Sequence, residues 1–262
     1  MSGQAKPTAR LLAQLGDPII ASLLFIALVS AVFLAFPDLD VGFSALFWNA
    51  QSGFQLRGDR LLLAFRKSND IAVIVAVAAI LAGLATKLAA PTRPSLIRPS
   101  HALFLGVSLA LGPGLLVNAI LKDHWGRPRP PMITTFGGIE PYVPVWEPSD
   151  SCVRNCSFVA GETSSAVWLI GLAILLPARW RPVGVAAGCL YAALISLNRI
   201  AFGGHFLSDV LLSIGLTMLV MSVVYRLVVE RPPPWLANDR LEAAAGRLAT
   251  RLKRERRGLG RR

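Results

Sequence analysis

Lys122 and Arg129 stand with six residues between them at the end of an apolar stretch, in the run Lys122, Asp123, His124, Trp125, Gly126, Arg127, Pro128, Arg129, Pro130. A second polar run, Ser157 to Ser165, contains Gly161 and Glu162, and a third, Asn198 to Asp209, contains Arg199, His205 and Asp209. Ionisable groups inside or beside apolar segments are costly, so they are functional candidates by default. Guanidinium forks grip phosphate oxygens two at a time and Lys adds a point charge. Lys122, Arg129 and Arg199, brought together, would make a cup for a phosphate. A helix starting near Gly161 would aim backbone N–H donors and its positive dipole end at the same place. His205 and Asp209 are four apart and share a face if a helix begins near His205. A carboxylate holding one ring nitrogen as N–H would free the other to attack phosphorus or take a proton. A histidine alone is more often a hydrogen-bonded structural residue; the company of Arg199 and Asp209 favours chemistry.

The elements that must position these groups are membrane helices. Of 262 residues, 54% are hydrophobic and 16% charged, with a net charge of +12, and the mean hydropathy is +0.55. A soluble domain carries about a quarter charged residues, and a disordered chain has too few apolar ones to pack, so both classes are excluded. Basic residues beside membrane helices more often fix topology and touch anionic lipid than bind nucleic acid. Six apolar segments can be drawn, at about 18–36, 71–90, 101–121, 163–177, 182–202 and 206–229. They predict an all-α bundle of six transmembrane helices. The first is long for a signal peptide and is expected to stay as an anchor. With the N-terminus in the cytoplasm, that side receives 18 Lys and Arg against 9 opposite, so the bias places both termini inside and all three polar clusters at the outer face.

This divides the chain into a cytoplasmic N-terminus at 1–17, a membrane domain at 18–229 and a basic cytoplasmic tail at 230–262. The stretch 38–70 mixes Phe and Leu with charges and is expected to lie as interfacial helices on the outer leaflet. After Pro232, Pro233 and Pro234, the residues Leu241, Ala245, Leu248 and Leu252 recur at helical spacing among arginines. That pattern fits a basic amphipathic helix touching anionic lipid on the inner surface, or else an unstructured basic tail. Cys152 and Cys156 fall in the outer loop, where an oxidising compartment would allow a disulfide closing a small loop. Cys189 lies within an apolar span and is expected simply to pack. No His, Cys and carboxylate cluster suits a metal site, and no cofactor is implied.

Together these residues resemble the type 2 phosphatidic acid phosphatase superfamily. Lys122 is followed at the family's spacing by Arg129 and Pro130, Gly161 stands at a helix start, and Arg199, His205 and Asp209 keep the spacing of the third motif. The resemblance covers about 18–229 and implies a vanadium-haloperoxidase-like phosphatase core that works without metal through a phospho-histidine. It implies His205 as nucleophile, Asp209 as its orienter, and Lys122, Arg129 and Arg199 as phosphoryl ligands. The second motif departs from the family's usual Pro, Ser, Gly, His, because Val159, Ala160, Gly161 and Glu162 stand there. Two residues are then candidates for protonating the leaving group, Glu162 by position and His124 by its place between Lys122 and Arg129.

An active site at the outer mouth of a bundle suits a phosphate on an outer-leaflet lipid. The variant second motif, with His124, Trp125 and the Phe136, Gly137, Gly138 loop, is similar to a bacterial branch that includes lipid A phosphatases. Lipid A is therefore the expected substrate, in an inner membrane facing a periplasm. Undecaprenyl diphosphate is the runner-up, and phosphatidylglycerol phosphate and phosphatidic acid follow. Transfer of the phosphoryl group to another lipid would use the same residues. A catalytically silent lipid-binding or lipid-translocating protein is the alternative of another class, prompted by Ala160 and Glu162.

Overall fold

A computed structural model describes residues 16–259; most of the expected N-terminal segment 1–17 and the last three residues lie outside the described part. The described residues are helical, with only isolated bridges and no strand. We number the main helices α1 (Pro18–Ala35), α2 (Asp38–Ala45), α3 (Arg60–Ala89), α4 (Pro99–His124), α5 (Gly161–Ile174), α6 (Arg181–Ala201), α7 (Leu207–Glu230) and α8 (Asn238–Leu259).

Among the described residues five helices, α1, α3, α4, α6 and α7, are long and apolar enough to cross a membrane. The sixth expected span corresponds to α5, which has 14 residues and reaches only about 21 Å at 1.5 Å per residue. Nine of those 14 are buried: Gly161, Thr163, Ser164, Ala166, Val167, Trp168, Ile170, Gly171 and Ala173. Its solvent is therefore mostly protein, packed among α3, α4, α6 and α7, and its sequence needs less lipid-like character than that of an outer helix. Helix α1 is the opposite case, with only Ser22, Val29 and Phe33 buried while Leu23, Leu24, Leu28 and Leu34 face outward. Exposed leucines in such numbers are what a hydrocarbon solvent asks for.

Local sequence sets the helix ends. Asp17 caps α1 by accepting from the Ile19 N–H at 2.9 Å, and Pro18 fills the first helical position. Asp59 caps α3 through the Leu62 N–H at 2.9 Å. The second span therefore starts at Arg60 rather than near 71. Arg60, Arg66, Lys67 and Asp70 hid the extension, because a 30-residue helix is about 45 Å long and carries polar turns beyond the hydrocarbon. Of the stretch expected to lie on the interface, only α2 and a short turn at Gln55–Gly58 remain.

Helix α4 changes pitch to a π-helix at Ala110–Leu121, with Pro113 inside it. Proline removes one N–H donor and crowds the preceding turn, and further along the Asn118 Nδ2 donates to the Pro113 carbonyl at 2.7 Å. The widened turn delivers Lys122 to the end of the helix, in keeping with the tendency of such segments to sit at functional sites.

Two apolar cores hold the bundle. One surrounds Trp168, Phe104, Ile195 and Met221, with the Trp168 indole N–H donating to the Leu105 carbonyl at 3.0 Å. The other surrounds Phe158, Val117, Leu212 and Phe33 under the polar clusters. Trp125 stacks on Phe158 at 5.3 Å and Trp146 meets it edge-on at 5.1 Å, so both tryptophans brace the loop over this core. Gly126 is fixed by its backbone: its φ is +72°, and a Cβ there would lie 1.5 Å from the Ser149 carbonyl oxygen.

Cys152 and Cys156 form a disulfide. Cys189, expected to pack, is exposed on the outer surface of α6. The tail is helical as α8 and docks on α3. Lys87, almost enclosed, donates to Glu242, and the Ser95 N–H reaches the same carboxylate at 3.0 Å.

Candidate active site

The three polar clusters converge at one end of the bundle. Phe206 is the N-cap of the final span, so His205 lies one residue before the cap, in the turn joining α6 to α7. Its ring is completely buried. The Nδ1 atom sits 2.6 Å from the Ser157 carbonyl oxygen. A carbonyl only accepts, so Nδ1 carries the proton and Nε2 is left with its lone pair. Nε2 has no hydrogen-bond partner among the described residues and stands 3.7 Å from the Glu162 Oε2. Burial pushes the His205 pKa down to about 4, against the pull of Glu162 and with the help of Arg199. The ring is a neutral imidazole with one nitrogen pinned and the other aimed at the cations.

Asp209 does not face the ring. The expectation that it holds His205 directly rested on their four-residue spacing, but the helix starts at Leu207, so His205 is outside it. Asp209 is the third helical residue and folds back to accept the Phe206 N–H at 2.9 Å. Its carboxylate also accepts from Ser157 Oγ and from Arg127. It thus fixes the hydroxyl of the very residue whose carbonyl holds His205.

Arg127 is the hub of this buried network. Its guanidinium donates to Asp209, to Asp40 at 2.8 Å, to Ser208 Oγ at 2.9 Å, to the Tyr142 hydroxyl at 3.0 Å and to the Val143 carbonyl at 2.8 Å. It also lies 4.7 Å from the centre of the Phe206 ring. Asp40 accepts the Ser208 N–H at 2.8 Å, which ties α2 to the start of α7. Arg127, Asp40 and Asp209 are fully buried, and an ion in that setting is tolerable only when paired and hydrogen-bonded.

The cations occupy the other side of His205. Arg199, on the last turn of α6, places Nε 3.4 Å from the Glu162 Oε1. Arg66 of α3 donates to the same oxygen at 2.8 Å through Nη2 and 3.2 Å through Nε. Lys122 abuts α5, since a Cβ on Gly161 would come within 3.2 Å of its Nζ and 2.8 Å of Asn118 Oδ1. The first turn of α5 has no side-chain cap, because its N-cap is Ala160, so the positive end of its dipole is open toward Lys122. Arg129 donates to the Asn155 carbonyl at 2.8 Å and to its side-chain oxygen at 3.0 Å. It is thereby held against the disulfide loop. Gly204 leaves room for Arg199, whose Nη2 lies 2.3 Å from where a Cβ would be.

Arg57, Arg66, Arg129 and Arg199 line one cavity of about 470 Å³, with Leu63 and Phe202 among its apolar walls. Lys122, Arg129, Arg199, Gly161, Glu162 and His205 are therefore neighbours at one end of the bundle. His124 is not among them: it is exposed and its Nδ1 turns back to the Ile120 carbonyl at 3.2 Å, one helical turn away. Sequence reasoning did not single out Arg66, Ser157, Asp40 or Tyr142. Arg66 lies in the 38–70 stretch expected to form interfacial helices, whereas it belongs to the long α3. Asp40 carried one usable signal, an acidic residue just past an apolar span.

Residues 101–233 match the PAP2 superfamily. The chain is 34% identical over 203 residues to the lipid A 4'-phosphatase of Francisella tularensis subsp. novicida, covering 76% of this chain and 90% of that one. It is 35% identical over 201 residues to the lipid A 4'-phosphatase of Rhizobium leguminosarum, covering 70% and 84%. A Rhizobium etli protein of the same name is 36% identical over 203 residues, covering 70% and 76%. No solved structure matches.

Proposed function

The chain belongs to the PAP2 superfamily and is a membrane lipid phosphatase, and from that premise we propose that it removes the 4'-phosphate of lipid A through a phosphorylated His205, without a metal ion. The observation that carries the mechanism is the pinned, buried imidazole. Its Nδ1–H is held by Ser157, and its free Nε2 faces the space between Glu162 and the cations.

The steps follow from that geometry. The lipid phosphate enters among Lys122, Arg129 and Arg199, with Arg66 at its edge, and these take its oxygens and the charge that spreads over them as the bond to the leaving group lengthens. The Nε2 lone pair forms the N–P bond as the P–O bond to the sugar breaks, and the leaving oxygen receives a proton from Glu162. Water then attacks the phosphorus, the N–P bond breaks, and Glu162 takes the water's proton, so phosphate leaves and the enzyme returns to its first state. As a free carboxylate Glu162 is gripped by Arg66 and Arg199. Phosphate draws those guanidiniums to itself, and the carboxylate left beside a phosphate dianion holds a proton more tightly. Asp209 serves His205 as a positioning residue through Ser157.

The identities with lipid A 4'-phosphatases over 70–76% of this chain support the substrate. The excess of basic residues at the opposite end of the bundle supports a bacterial inner membrane with both termini cytoplasmic and the site facing the periplasm. There the basic face of α8 would meet anionic lipid headgroups.

The test is phosphate release by purified protein in detergent with a chelator present, comparing lipid A, undecaprenyl diphosphate and phosphatidic acid. The expected result is chelator-resistant release, fastest from lipid A, falling on the order of 10⁴-fold or more in His205→Ala. Release that survives His205→Ala would exclude the phospho-histidine route, and faster release from another lipid would replace the substrate.

A further inference from the structure

The cavity beside His205 is more cationic than one phosphate requires. Arg129 and Arg199 in its wall belong to the phosphate-binding motifs, but Arg57 and Arg66 do not. Those two come from the turn Gln55–Gly58 and the exposed beginning of α3, ahead of the residues 101–233 that match the family. This N-terminal segment therefore adds its own charges to a site built elsewhere.

The guanidiniums are close enough to oppose one another: Arg57 and Arg66 both repel Arg129 and Arg199. Glu162 is the carboxylate that pairs into the cluster, with Arg66 and Arg199, while Asp209, already bound to Arg127, adds a smaller pull on Arg129. The Arg57 N–H donates to the Phe54 carbonyl at 3.1 Å, but its guanidinium makes no hydrogen bond or ion pair among the described residues. Counting Lys122, five cationic side chains face one carboxylate. A phosphate monoester brings a charge of about −2 at most, which neutralises half of the surplus. Like charges gathered in one wall cost free energy unless an anion joins them. The cavity is also roomy at about 470 Å³, with Leu63 and Phe202 offering apolar contact beside the arginines. It can take more of a headgroup than the group being cleaved.

We propose that Arg57 and Arg66 form a second anion subsite in this cavity, which takes an anionic group on the lipid headgroup other than the phosphate being removed. The subsite rests on the lipid A reading above and sharpens it, because it selects a headgroup with at least two anionic groups. Arg57 is the free contributor. Arg66 links the subsite to the reaction, since the second anion and the cleaved phosphate both compete with Glu162 for its guanidinium.

The test compares kcat/KM for three substrates: lipid A with phosphates at both ends, lipid A with the 4'-phosphate alone, and lipid A with both phosphates and acidic keto-sugars attached. Wild-type protein is expected to favour a substrate with an extra anion roughly tenfold, the worth of one charge-assisted hydrogen bond. Arg57→Gln should bring that ratio to within about twofold, and Arg57→Lys should keep most of it. Arg57 is exposed, so both variants are expected to fold. The two extra-anion substrates distinguish a phosphate from a carboxylate as the second group. A wild-type ratio near unity, or a ratio that survives Arg57→Gln, overturns the subsite. Should no form of lipid A be cleaved, the substrate reading fails on its own, and calorimetric binding of methylenediphosphonate against inorganic phosphate decides the subsite. There, wild-type preference for the diphosphonate that Arg57→Gln abolishes supports the subsite, and equal binding of the two sinks it.

Discussion

Two charged networks lie back to back around His205, and they are built on opposite terms. On one side Arg127 gives all its donor capacity to Asp40, Asp209, Ser208, Tyr142 and Val143, with no water-facing surface. On the other side Arg199 Nε, Glu162 Oε2 and His205 Nε2 are buried without hydrogen-bond partners, and the cations outnumber the carboxylate. A satisfied network has nothing left to offer a ligand and holds its elements in one arrangement. An under-satisfied one holds its groups ready, at a cost in stability, for something that completes it. The same residue types, Arg with Asp or Glu, are a brace in one place and a receptor in the other. What separates them is whether the donors and acceptors balance.

The largest effect should come from unbalancing the brace. Arg127→Met strands Asp40 and Asp209 as buried carboxylates, and breaking a buried pair in this way costs about 3–5 kcal/mol. Arg199→Gln, which relieves repulsion in the cup even as Glu162 loses a partner, should cost clearly less stability than Arg127→Met while it impairs phosphate release. Thermal unfolding of both variants in detergent checks the contrast. Equal losses would mean that the two networks are not different in kind.

Glu162→Gln sharpens the comparison from the receptor side. It keeps the shape of the side chain but removes its charge and its proton, so turnover should fall about 10²- to 10⁴-fold as expected for loss of a general acid and base. Stability should fall as well, though by less than in Arg127→Met, because the cations lose the carboxylate that offsets them while Arg66 is partly open to solvent. An aryl phosphate with a leaving group that needs no proton should recover part of the loss. Full activity of Glu162→Gln would remove it from the chemistry.

How far these networks were legible in the sequence follows the same division. Lys122, Arg129, Gly161, Glu162, Arg199 and His205 were readable because each is a polar residue at a membrane helix end, and helix ends on one face converge. The brace was not. Arg127 contacts Asp40 across 87 positions and Asp209 across 82, and no periodicity registers a contact between a loop, a short helix and a cap. The spacing of His205 and Asp209 misled for a physical reason: it describes neighbours within a helix, and the cap at Phe206 puts the two on opposite sides of the helix start. The shortness of α5 follows from its surroundings, because protein packing rather than lipid surrounds most of it. The length of α3 was hidden by charges that a helix can carry once it has left the hydrocarbon.

The smallest expected effect is a signal that does not move. His205 stands between the two networks, and the brace determines which of its nitrogens carries the proton. With its pKa pushed down to about 4 by burial, the ring should stay neutral from pH 7 to pH 5. The unfolded chain binds that proton near the ordinary 6.5. Between 6.5 and about 4 the unfolded state holds the extra proton, so this residue makes the fold less stable as pH falls and contributes no such loss above 6.5. The chain has three histidines, His101, His124 and His205, which makes the ring nitrogens assignable in protein labelled with ¹⁵N-histidine, using His205→Ala to identify its pair. The His205 pair should show a protonated Nδ1 and a bare Nε2 at both pH values. A pair that averages toward the imidazolium by pH 6 would mean that the pocket accepts the charge. The nucleophile would then be set by the cations in front of it rather than by the carbonyl behind it.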